Sequence, residues 1–568
     1  RQRQMCIRDS TNTFSPFTNL SYYKGGGSRD GEERFKSYFA INANKRLGFG
    51  FYIDYLYGRG LYQDQSTAFF NGGLFSSYRG DKYDMHFIFN NDNLKMAENG
   101  GITDDRYITN PLDMAEGKKE YSANEIPTRL SQIWNHNTSY HAFLTHRYNL
   151  GFYKEKQDSV DTDSVKITQV FVPVTSFIHT LQVDLNNRKY ISYDDAQNQK
   201  YFEHNYLGTD SIDKTKRTSI KNTIGIALQE GFNKWAKAGL TAFLSYEYRN
   251  FALTDTTNIP GQRIINNYKE SSLSIGGELS KKQGKLLHYN ILGELAIAGE
   301  DAGQFSVEGR GDLNLRLFGD TVRLDVNAFI KNQNPVFYFR HFQSKHYWWD
   351  NNDLSKIMRT RLEGKLSLNR WGTQLRAGVE NIKNYTYLAN ASIPVKDSEG
   401  NVTGFKNNAA VRQHSGNIQI FTAMLQQKLK VGIFHLDGEV AYQKSSEQDI
   451  LPLPELSAYG NLYMKFGLAK KVLQIEMGAD VRYFSKYYAP DYSPVIGQFY
   501  NQNPDDKIEI GAFPIVNVYA NLHLKRTRFF IMMYHVNAGS GKSNYFLAPH
   551  YPINPRMIKF GLSWNFFD

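Results

Sequence analysis

The sequence predicts an all-β protein, an antiparallel transmembrane β-barrel of roughly 22 strands, and three observations lead to this prediction. Apolar and polar residues alternate with a period of two along stretches of about ten residues, which is the length that crosses a bilayer when a strand is tilted. The 568-residue chain contains 38 Tyr and 38 Phe, yet its mean hydropathy is −0.54. Short turns alternate with longer polar segments, as they do in such barrels.

The last predicted strand shows the alternation most clearly. From Ile558 to Phe566, one face of an extended strand carries only Ile, Phe, Leu and Trp, while the other carries Lys, Gly, Ser and Asn. The same pattern recurs in Leu47–Tyr57, Ala236–Tyr248, Val322–Lys331 and Leu473–Arg482. An amphipathic helix would repeat near 3.6 residues, so a period of two favours strands.

Two other classes of protein fit the composition less well. No run of about 18 apolar residues is present, which excludes a transmembrane helix. A soluble β-sandwich also alternates, but a soluble protein of this size would bury some strands on both faces or connect them by helices. A barrel explains a polar yet aromatic-rich chain, because half of each strand faces lipid and half faces water.

The lengths of the connections predict how the barrel is oriented. Tight turns are predicted at Asn44–Arg46, Gly80–Asp81, Lys281–Gly284, Phe318–Asp320, Trp371–Gly372, Lys428–Lys430, Ala469–Lys471 and Lys525–Thr527. Longer polar loops are predicted at Asn91–Gln132, Asn187–Arg217, Gln333–Lys356, Ala389–Gln413, Tyr487–Gly511 and Gly539–Pro555. A medium-length link near Glu155–Thr168 is the exception on the short side. Short turns face the periplasm in such barrels, so we expect both chain ends on that side.

The first ten residues do not fit the pattern. Residues 1–10 contain Cys6, the only cysteine, and they show neither strand alternation nor the apolar stretch of a secretory signal. We interpret them as foreign or misassembled sequence at a truncated N-terminus and assign residues 11–568 to the barrel. Without Cys6 the chain has no cysteine, which removes any basis for disulfides or thiolate metal sites.

Four stretches carry a resemblance to a known family. They are Asn12–Phe35, Tyr338–Gly364, Val379–Leu388 and Phe560–Asp568. From Thr11 onward the chain resembles the putative outer-membrane porin family of Bacteroidota, over nearly its whole length. The resemblance implies an integral outer-membrane barrel that forms a channel. The expected partners are outer-membrane lipid, the barrel-assembly machinery during insertion, and small polar solutes or ions, and no cofactor is expected.

The alternation also predicts which charged residues line the lumen. These residues are Glu308, Arg310, Asp312, Arg316, Arg323, Asp325, Arg359, Arg361, Glu363 and Lys365. An Arg or Lys that faced lipid at the midplane would cost about 2–4 kcal/mol, which favours the inward assignment. The charges could create a field that suits small polar solutes, or they could pair across neighbouring strands and only solvate the wall. The net charge of +11 indicates a mild preference for anions.

The loop Gln333–Lys356 has the densest cluster of aromatic and charged residues in the chain. Its aromatic candidates are Phe339, Tyr347, Trp348 and Trp349. The simpler interpretation is an interfacial girdle, because Trp and Tyr favour the headgroup level. Alternatively, the loop folds into the mouth as a constriction or binds sugar rings by stacking. The residues His341, His346, Asp350 and Asp353 match no strong metal signature, so no metal is predicted.

The sequence therefore predicts a porin that is not an enzyme and that allows passive diffusion of small hydrophilic solutes or ions. The segment Gly539–Ser543 lacks the first glycine and the following helix of a phosphate-binding loop. A membrane wall explains the mixture of basic and aromatic residues better than nucleic-acid binding does. Three alternatives stay open: a TonB-dependent-type uptake receptor barrel without its plug, a non-conducting structural or assembly barrel, and a barrel protease or lipase, which needs catalytic residues in the mouth.

Overall fold

A computed structural model describes residues 16–27, 31–161, 164–193, 200–231, 237–256, 263–317, 319–541 and 543–566. In it, 22 strands pair antiparallel in a single closed sheet. The first strand, Phe17–Gly25, pairs with the last, Met557–Phe566, and this pairing closes the barrel. The predicted fold class is therefore confirmed. The segment 1–10 and Ala236 of one predicted strand lie outside the described residues.

The barrel strands, numbered in chain order, have the following bounds. They are β1 (Phe17–Gly25), β2 (Glu32–Asn42), β3 (Leu47–Gly58), β4 (Thr67–Arg79), β5 (Tyr83–Ala97), β6 (Ile133–Asp161), β7 (Ser164–Ser192), β8 (Ile212–Leu228), β9 (Gly239–Thr256), β10 (Arg263–Lys281), β11 (Leu287–Gly299), β12 (Phe305–Leu317), β13 (Asp320–Gln333), β14 (Ile357–Leu368), β15 (Thr373–Asn390), β16 (Ala409–Val431), β17 (Phe434–Ser445), β18 (Leu456–Leu468), β19 (Leu473–Phe484), β20 (Ile515–Leu524), β21 (Thr527–Tyr534) and β22 (Met557–Phe566).

The long connections all emerge at one end of the barrel. They span residues 98–132, 193–211, 334–356, 391–408, 485–514 and 535–556. Four of them fold into small hairpins, formed by His341–Gln343 with Trp348–Asp350, Ile393–Lys396 with Val402–Lys406, Asp491–Ser493 with Gln498–Tyr500, and Phe546–Ala548 with Tyr551–Pro552. Short helices lie at Arg106–Thr109 and Phe337–Arg340, with 3₁₀ turns at Pro111–Asp113, Ala123–Glu125 and Asn369–Trp371. Within the described residues, no helix is long and apolar enough to cross a membrane.

The outer face of the wall is apolar. On β3 the side chain of Phe49 is 46% exposed, and on β15 that of Val379 is 53% exposed. The same exposure recurs at alternate positions on other strands, for example at Val307 and Leu362. In a transmembrane barrel this outward row meets lipid, so the exposure of these side chains is the expected arrangement.

One predicted turn is displaced. The residues Lys428–Lys430 belong to β16, and the chain reverses direction at Gly432 and Ile433 instead. Gly432 has a φ of +60°, a backbone conformation that glycine adopts without the steric cost paid by other residues. The basic residues therefore mark the end of a strand, and the glycine after them makes the turn.

Two predicted connections are strand over much of their length. The predicted loop Asn187–Arg217 is reduced to residues 193–211, because β7 and β8 continue beyond the predicted ends. In the predicted link near Glu155–Thr168, the residues up to Asp161 belong to β6 and those from Ser164 onward belong to β7, while residues 162 and 163 lie outside the described residues. The two strands run 29 residues each and pair with each other. On the short-turn side, the pairing of β5 with β6 ends at Tyr148 and that of β8 with β7 ends at Thr175. The two strands therefore project beyond the barrel as a hairpin.

Candidate functional site

Charged side chains of neighbouring strands form a ladder of ion pairs along the wall. Lys331 Nζ of β13 lies 2.6 Å from Glu308 Oε1 of β12. Asp325 of β13 pairs with Lys365 Nζ of β14 at 2.9 Å and with Arg323 Nε at 2.8 Å. Since most partners lie on adjacent strands, the pairs run sideways around the barrel.

Two glutamates extend this ladder and show which face it occupies. Arg361 pairs with Glu363, and Arg359 Nε donates to Glu380 Oε1 of β15 at 2.9 Å. Val379, the residue directly before Glu380 on β15, lies on the apolar outer face, so the side chain of Glu380 lies on the opposite face. The ladder therefore lies on the inner face of the wall.

The other predicted lumen-lining residues lie on the same face. Asp312 Oδ2 lies 2.9 Å from His288 Nδ1, and its Oδ1 lies 3.6 Å from Arg323 Nη2. Arg310 is exposed, with its Nη2 atom 3.9 Å from Glu308 Oε2. Arg316 is exposed near the short-turn end of β12. The interpretation that the charges pair across strands thus describes much of the set, and their part in solute passage stays a prediction.

One long loop crosses the mouth of the barrel. Residues 485–514 follow β19, and from there Asn135 Nδ2 of β6 donates to Pro494 O at 2.6 Å and Arg188 of β7 donates to Val495 O. The strands β7 and β19 are twelve positions apart in a ring of 22, so they lie on nearly opposite walls. Strands about 4.8 Å apart and tilted by about 40° make such a ring roughly 44 Å across. The loop therefore spans the mouth.

Several loops meet in a buried cluster, which we call the mouth cluster. Its members are Leu130, Ile133, Tyr190, Phe202, Phe342, Tyr347, Trp349, Leu388, Ala409, Val495 and Tyr500. Hydrogen bonds connect the loops at its centre: Ser493 Oγ donates to Tyr347 OH at 3.1 Å, Tyr347 OH donates to Asn407 Oδ1, and Asn407 Nδ2 donates to Tyr500 OH at 2.9 Å. These contacts hold the crossing loop beside two other loops.

The structure corrects the girdle interpretation of the aromatic loop. Tyr347 is 0% exposed and Trp349 is 8% exposed, within the mouth cluster, and Phe339 packs against the cluster. Only Trp348, at 48% exposed, keeps the exposure expected of a girdle residue. The loop turns inward because its tip is bonded to the loop 193–211. Lys345 Nζ donates to Asp210 O at 2.6 Å, and His346 Nδ1 lies 2.8 Å from His204 O.

A buried carboxyl group anchors the crossing loop. Glu98, which follows β5, is 3% exposed, and its Oε1 accepts hydrogen bonds from Asn135 Nδ2 at 2.6 Å and from Tyr492 OH at 2.9 Å. Burial raises the pKa of Glu98 to about 7, although these two hydrogen bonds and the charge of Arg188 act in the opposite direction. The anchor therefore changes its charge near neutral pH.

Two cavities adjoin the mouth cluster. A polar cavity of about 520 Å³ is lined by loop residues, among them Lys200, Asp491 and His550. A second cavity of about 300 Å³ is lined by residues of β6, β7 and β8 and by the aromatic loop, so it lies on the lumen side. Among the described residues, no group of three or more His, Cys, Asp or Glu is placed to hold a metal ion.

Reasoning from the sequence missed the residues that hold the crossing loop in the mouth. Asn135, Arg188, Glu98 and Tyr492 were not among the candidates, and Arg188 falls in a segment that the sequence predicts as loop. An available signal was the parity of β7: Arg188 occupies an inward position near the mouth end of the strand. Its partner Val495 is 307 positions away in sequence, and no local pattern indicates that contact.

A closed barrel of this size, apolar outside and charged within, defines an integral β-barrel of the outer membrane. The chain belongs to the putative porin family, whose model matches residues 9–568. No curated protein matches the sequence.

Solved structures with the same fold include receptors and a transporter. The siderophore receptor PirA from Acinetobacter baumannii is 9% identical, with a TM-score of 0.64, and the match covers 98% of this chain and 81% of that chain. The ferric enterobactin receptor PfeA from Pseudomonas aeruginosa is 12% identical, with a TM-score of 0.60 and coverage of 97% and 81%. The copper transporter OprC is 10% identical, with a TM-score of 0.60 and coverage of 98% and 84%. At these identities, the likeness concerns the fold alone.

Proposed function

We propose that this protein is an outer-membrane channel for the passive diffusion of small hydrophilic solutes or ions, and that its extracellular loops restrict what enters. Diffusion down a gradient requires neither catalysis nor a cofactor. The partners in this proposal are outer-membrane lipid, the barrel-assembly machinery and the solute itself.

The observation that carries the proposal is the charge ladder on the inner wall. Fixed charges of both signs, such as Glu308 with Lys331 and Asp325 with Lys365, keep a lumen hydrated and offer polar contacts at every level. An apolar outer face beside this inner face gives a wall that separates lipid from water. A wall of this kind suits polar cargo.

The closed mouth adds selectivity to the proposed channel. The crossing loop is held to β6 and β7 by a few polar contacts, each worth about 0.5–3 kcal/mol, and to two other loops by the mouth cluster. Such a closure can open by thermal motion, so we propose a channel that is closed most of the time and opens by displacement of the 485–514 loop.

Planar-bilayer recording of the refolded protein tests this proposal. We expect brief openings of stable amplitude, with measurable ion selectivity, in the unmodified protein. Shortening the crossing loop by replacing residues 491–500 with a Gly-Ser linker should lengthen the openings. A barrel that stays silent in both forms would refute the passive channel.

The fold supports one alternative of a different kind. Siderophore receptors share this barrel at low identity, so the chain could be the barrel of an uptake receptor. That alternative predicts tight binding of a ferric siderophore to the extracellular loops. Ferric enterobactin titrated onto the detergent-solubilised protein would give saturable binding if the alternative is right, and no binding if the channel proposal is right.

A further inference from the structure

The cavity of about 300 Å³ on the lumen side of the mouth has two walls of different chemistry. One wall belongs to the barrel and is polar, with Asn137 and Ser139 of β6, Asn186 and Arg188 of β7, and Thr215 of β8. The other is mainly aromatic and belongs to the loop 334–356, with Leu388 of β15 and with Ile496 and Gln498 of the crossing loop beside it. A solute that moves along the lumen towards or away from the mouth cluster meets this cavity.

The polar wall contains a hydrogen-bonding group without a partner. Thr215 lies opposite Arg188 in the register of β7 and β8, so both side chains face inward. The Thr215 side chain is buried, and its Oγ1 atom has no hydrogen-bond partner among the described residues. A buried hydroxyl that is left unpaired costs about 1–3 kcal/mol. A ligand hydroxyl in the cavity would remove this cost.

The aromatic wall is built from Tyr338, Phe339, Phe342 and Trp349. The rings of Phe342 and Trp349 stack with centroids 4.9 Å apart, and Trp349 Nε1 donates to Tyr338 O at 2.9 Å. These contacts fix the orientation of the rings before any ligand arrives. A rigid aromatic surface opposite amide and hydroxyl groups matches a molecule with one apolar face and a polar rim.

We propose that this cavity is a binding site for a neutral monosaccharide, which would be the solute class of the channel proposed above. The C–H face of a pyranose ring would lie against the aromatic wall, and its hydroxyls would bond to Thr215, Asn137 and Ser139. The volume is at the small end of ligand pockets, as suits a single ring. This inference rests on the proposed function for its physiological meaning, but binding can be measured independently.

The electrostatics of the cavity favour a neutral ligand over a charged one. Arg188 is the charged residue among those that line it. Its guanidinium is already engaged, because Nη2 donates to Asn135 Oδ1 at 2.7 Å and to Val495 O. A carboxylate or phosphate ligand would therefore compete with the contacts that close the mouth.

Isothermal titration calorimetry of the folded protein in detergent tests the site, with D-glucose as the probe and sorbitol as the control. Sorbitol carries hydroxyls without a rigid ring, so it cannot stack in the same way. We expect millimolar binding of glucose and at least about fivefold weaker binding of sorbitol. A difference of about fivefold in affinity is what the loss of one non-covalent contact typically causes. Equal affinity for the two probes, or no heat with either, would overturn the proposal, the second result meaning that the cavity holds only water.

Matched variants assign the binding to the two walls. Thr215→Val should weaken glucose binding by about two- to tenfold, the value of one hydrogen bond, and Thr215→Ser should restore it. Thr223→Val removes a hydroxyl from the same face of β8 outside the cavity and should leave binding unchanged. Phe339→Leu should weaken binding, whereas Trp348→Leu, on the same loop but outside the cavity, should not. Equal effects of the variants and their controls would contradict the assignment.

Channel recordings separate this inference from the proposed function. Glucose should interrupt the current of the open wild-type channel, and the interruptions should be shorter in Thr215→Val. Conduction without glucose binding would refute the monosaccharide site but not the proposed channel. Glucose binding to a protein that never conducts would support the monosaccharide site and refute the proposed channel.

Discussion

The wall and the mouth of this barrel are stabilised by different kinds of contact. In the wall, every strand hydrogen-bonds in register to its neighbours, and the ion pairs join side chains that the register already places side by side. In the mouth, segments that are distant in the chain bond to one another across the lumen, as when Arg188 of β7 donates to Val495 O of the crossing loop. The wall is therefore a repeated structure in which many contacts are equivalent, whereas the mouth depends on a few individual contacts.

The largest expected effect concerns the two faces of the wall. Leu324 lies on the outer face of β13 beside Leu366 and Leu375, and Asn327 lies on the inner face opposite Glu363 of β14. Leu324→Arg should impair assembly, because an arginine that faces lipid costs as much as about 4 kcal/mol at the midplane and less near the interfaces. Asn327→Arg should assemble normally and shift ion preference towards anions. Heat-modifiable migration of outer-membrane fractions measures assembly, and equal tolerance at the two sites would refute the assignment of faces.

The next effect concerns the crossing loop. Arg188→Leu removes the charge-assisted hydrogen bond to Val495, which is worth about 1.5–3 kcal/mol, so the ratio of open to closed channel should rise by about ten- to a hundredfold. Single-channel open probability measures this ratio. Arg310→Leu is the matched control, since Arg310 is exposed on the lumen wall and does not contact the crossing loop. A similar rise in both variants would show that arginine removal acts through the wall.

The pH dependence of opening should follow Glu98. Its pKa in the closed mouth is about 7, above the ordinary value of about 4.3 for an exposed glutamate. The closed form therefore binds more protons than an open form with an exposed Glu98, so closure is favoured at low pH and weakens as pH rises from about 4.3 to about 7. Open probability should increase by about tenfold or more between pH 5 and pH 8.

The variant Glu98→Gln provides the control for this dependence. The amide keeps the size of the side chain and its capacity to accept a hydrogen bond but does not titrate. Its open probability should be nearly constant between pH 5 and pH 8. A variant that keeps the full pH response would assign the response to another group, such as Asp491, whose pKa is also raised by burial.

The smallest effect is expected when one ion pair of the charge ladder is removed. Lys365→Gln leaves Asp325 with Arg323 and should change the free energy of unfolding by less than about 1 kcal/mol, because partly exposed ion pairs contribute little. The reversal potential under a salt gradient should shift slightly towards cations. Lys471→Gln, in the turn between β18 and β19, should leave it unchanged. A large loss of stability would mean that the ladder does more than solvate the wall.

The wall could be predicted from the sequence, but the mouth could not. The reason is again that the wall repeats one kind of contact, whereas the mouth depends on individual contacts. A strand alternates because its side chains point to opposite faces, so each segment of the wall reports its own orientation, and the strand count and both faces could be predicted. The inward fold of Tyr347 and Trp349 depends on Lys345, His346 and the loop 193–211. Such contacts follow no period, so the sequence does not reveal them. The displaced turn at Gly432 shows that the position of a turn can also be predicted wrongly when basic residues precede the glycine.

The residues that join the crossing loop to the opposite wall are far apart in the sequence. This distance affects the order in which the parts of the molecule fold. The crossing loop binds β6 and β7 through pairs of residues 359 and 307 positions apart, whereas neighbouring strands other than β1 and β22 follow each other directly in the chain. Contacts between distant segments carry a larger entropic cost of closure, and these also require the opposite wall to be in place. A barrel in which the crossing loop has not yet docked is thus the expected folding intermediate. Newly inserted copies should therefore conduct ions before the loop docks.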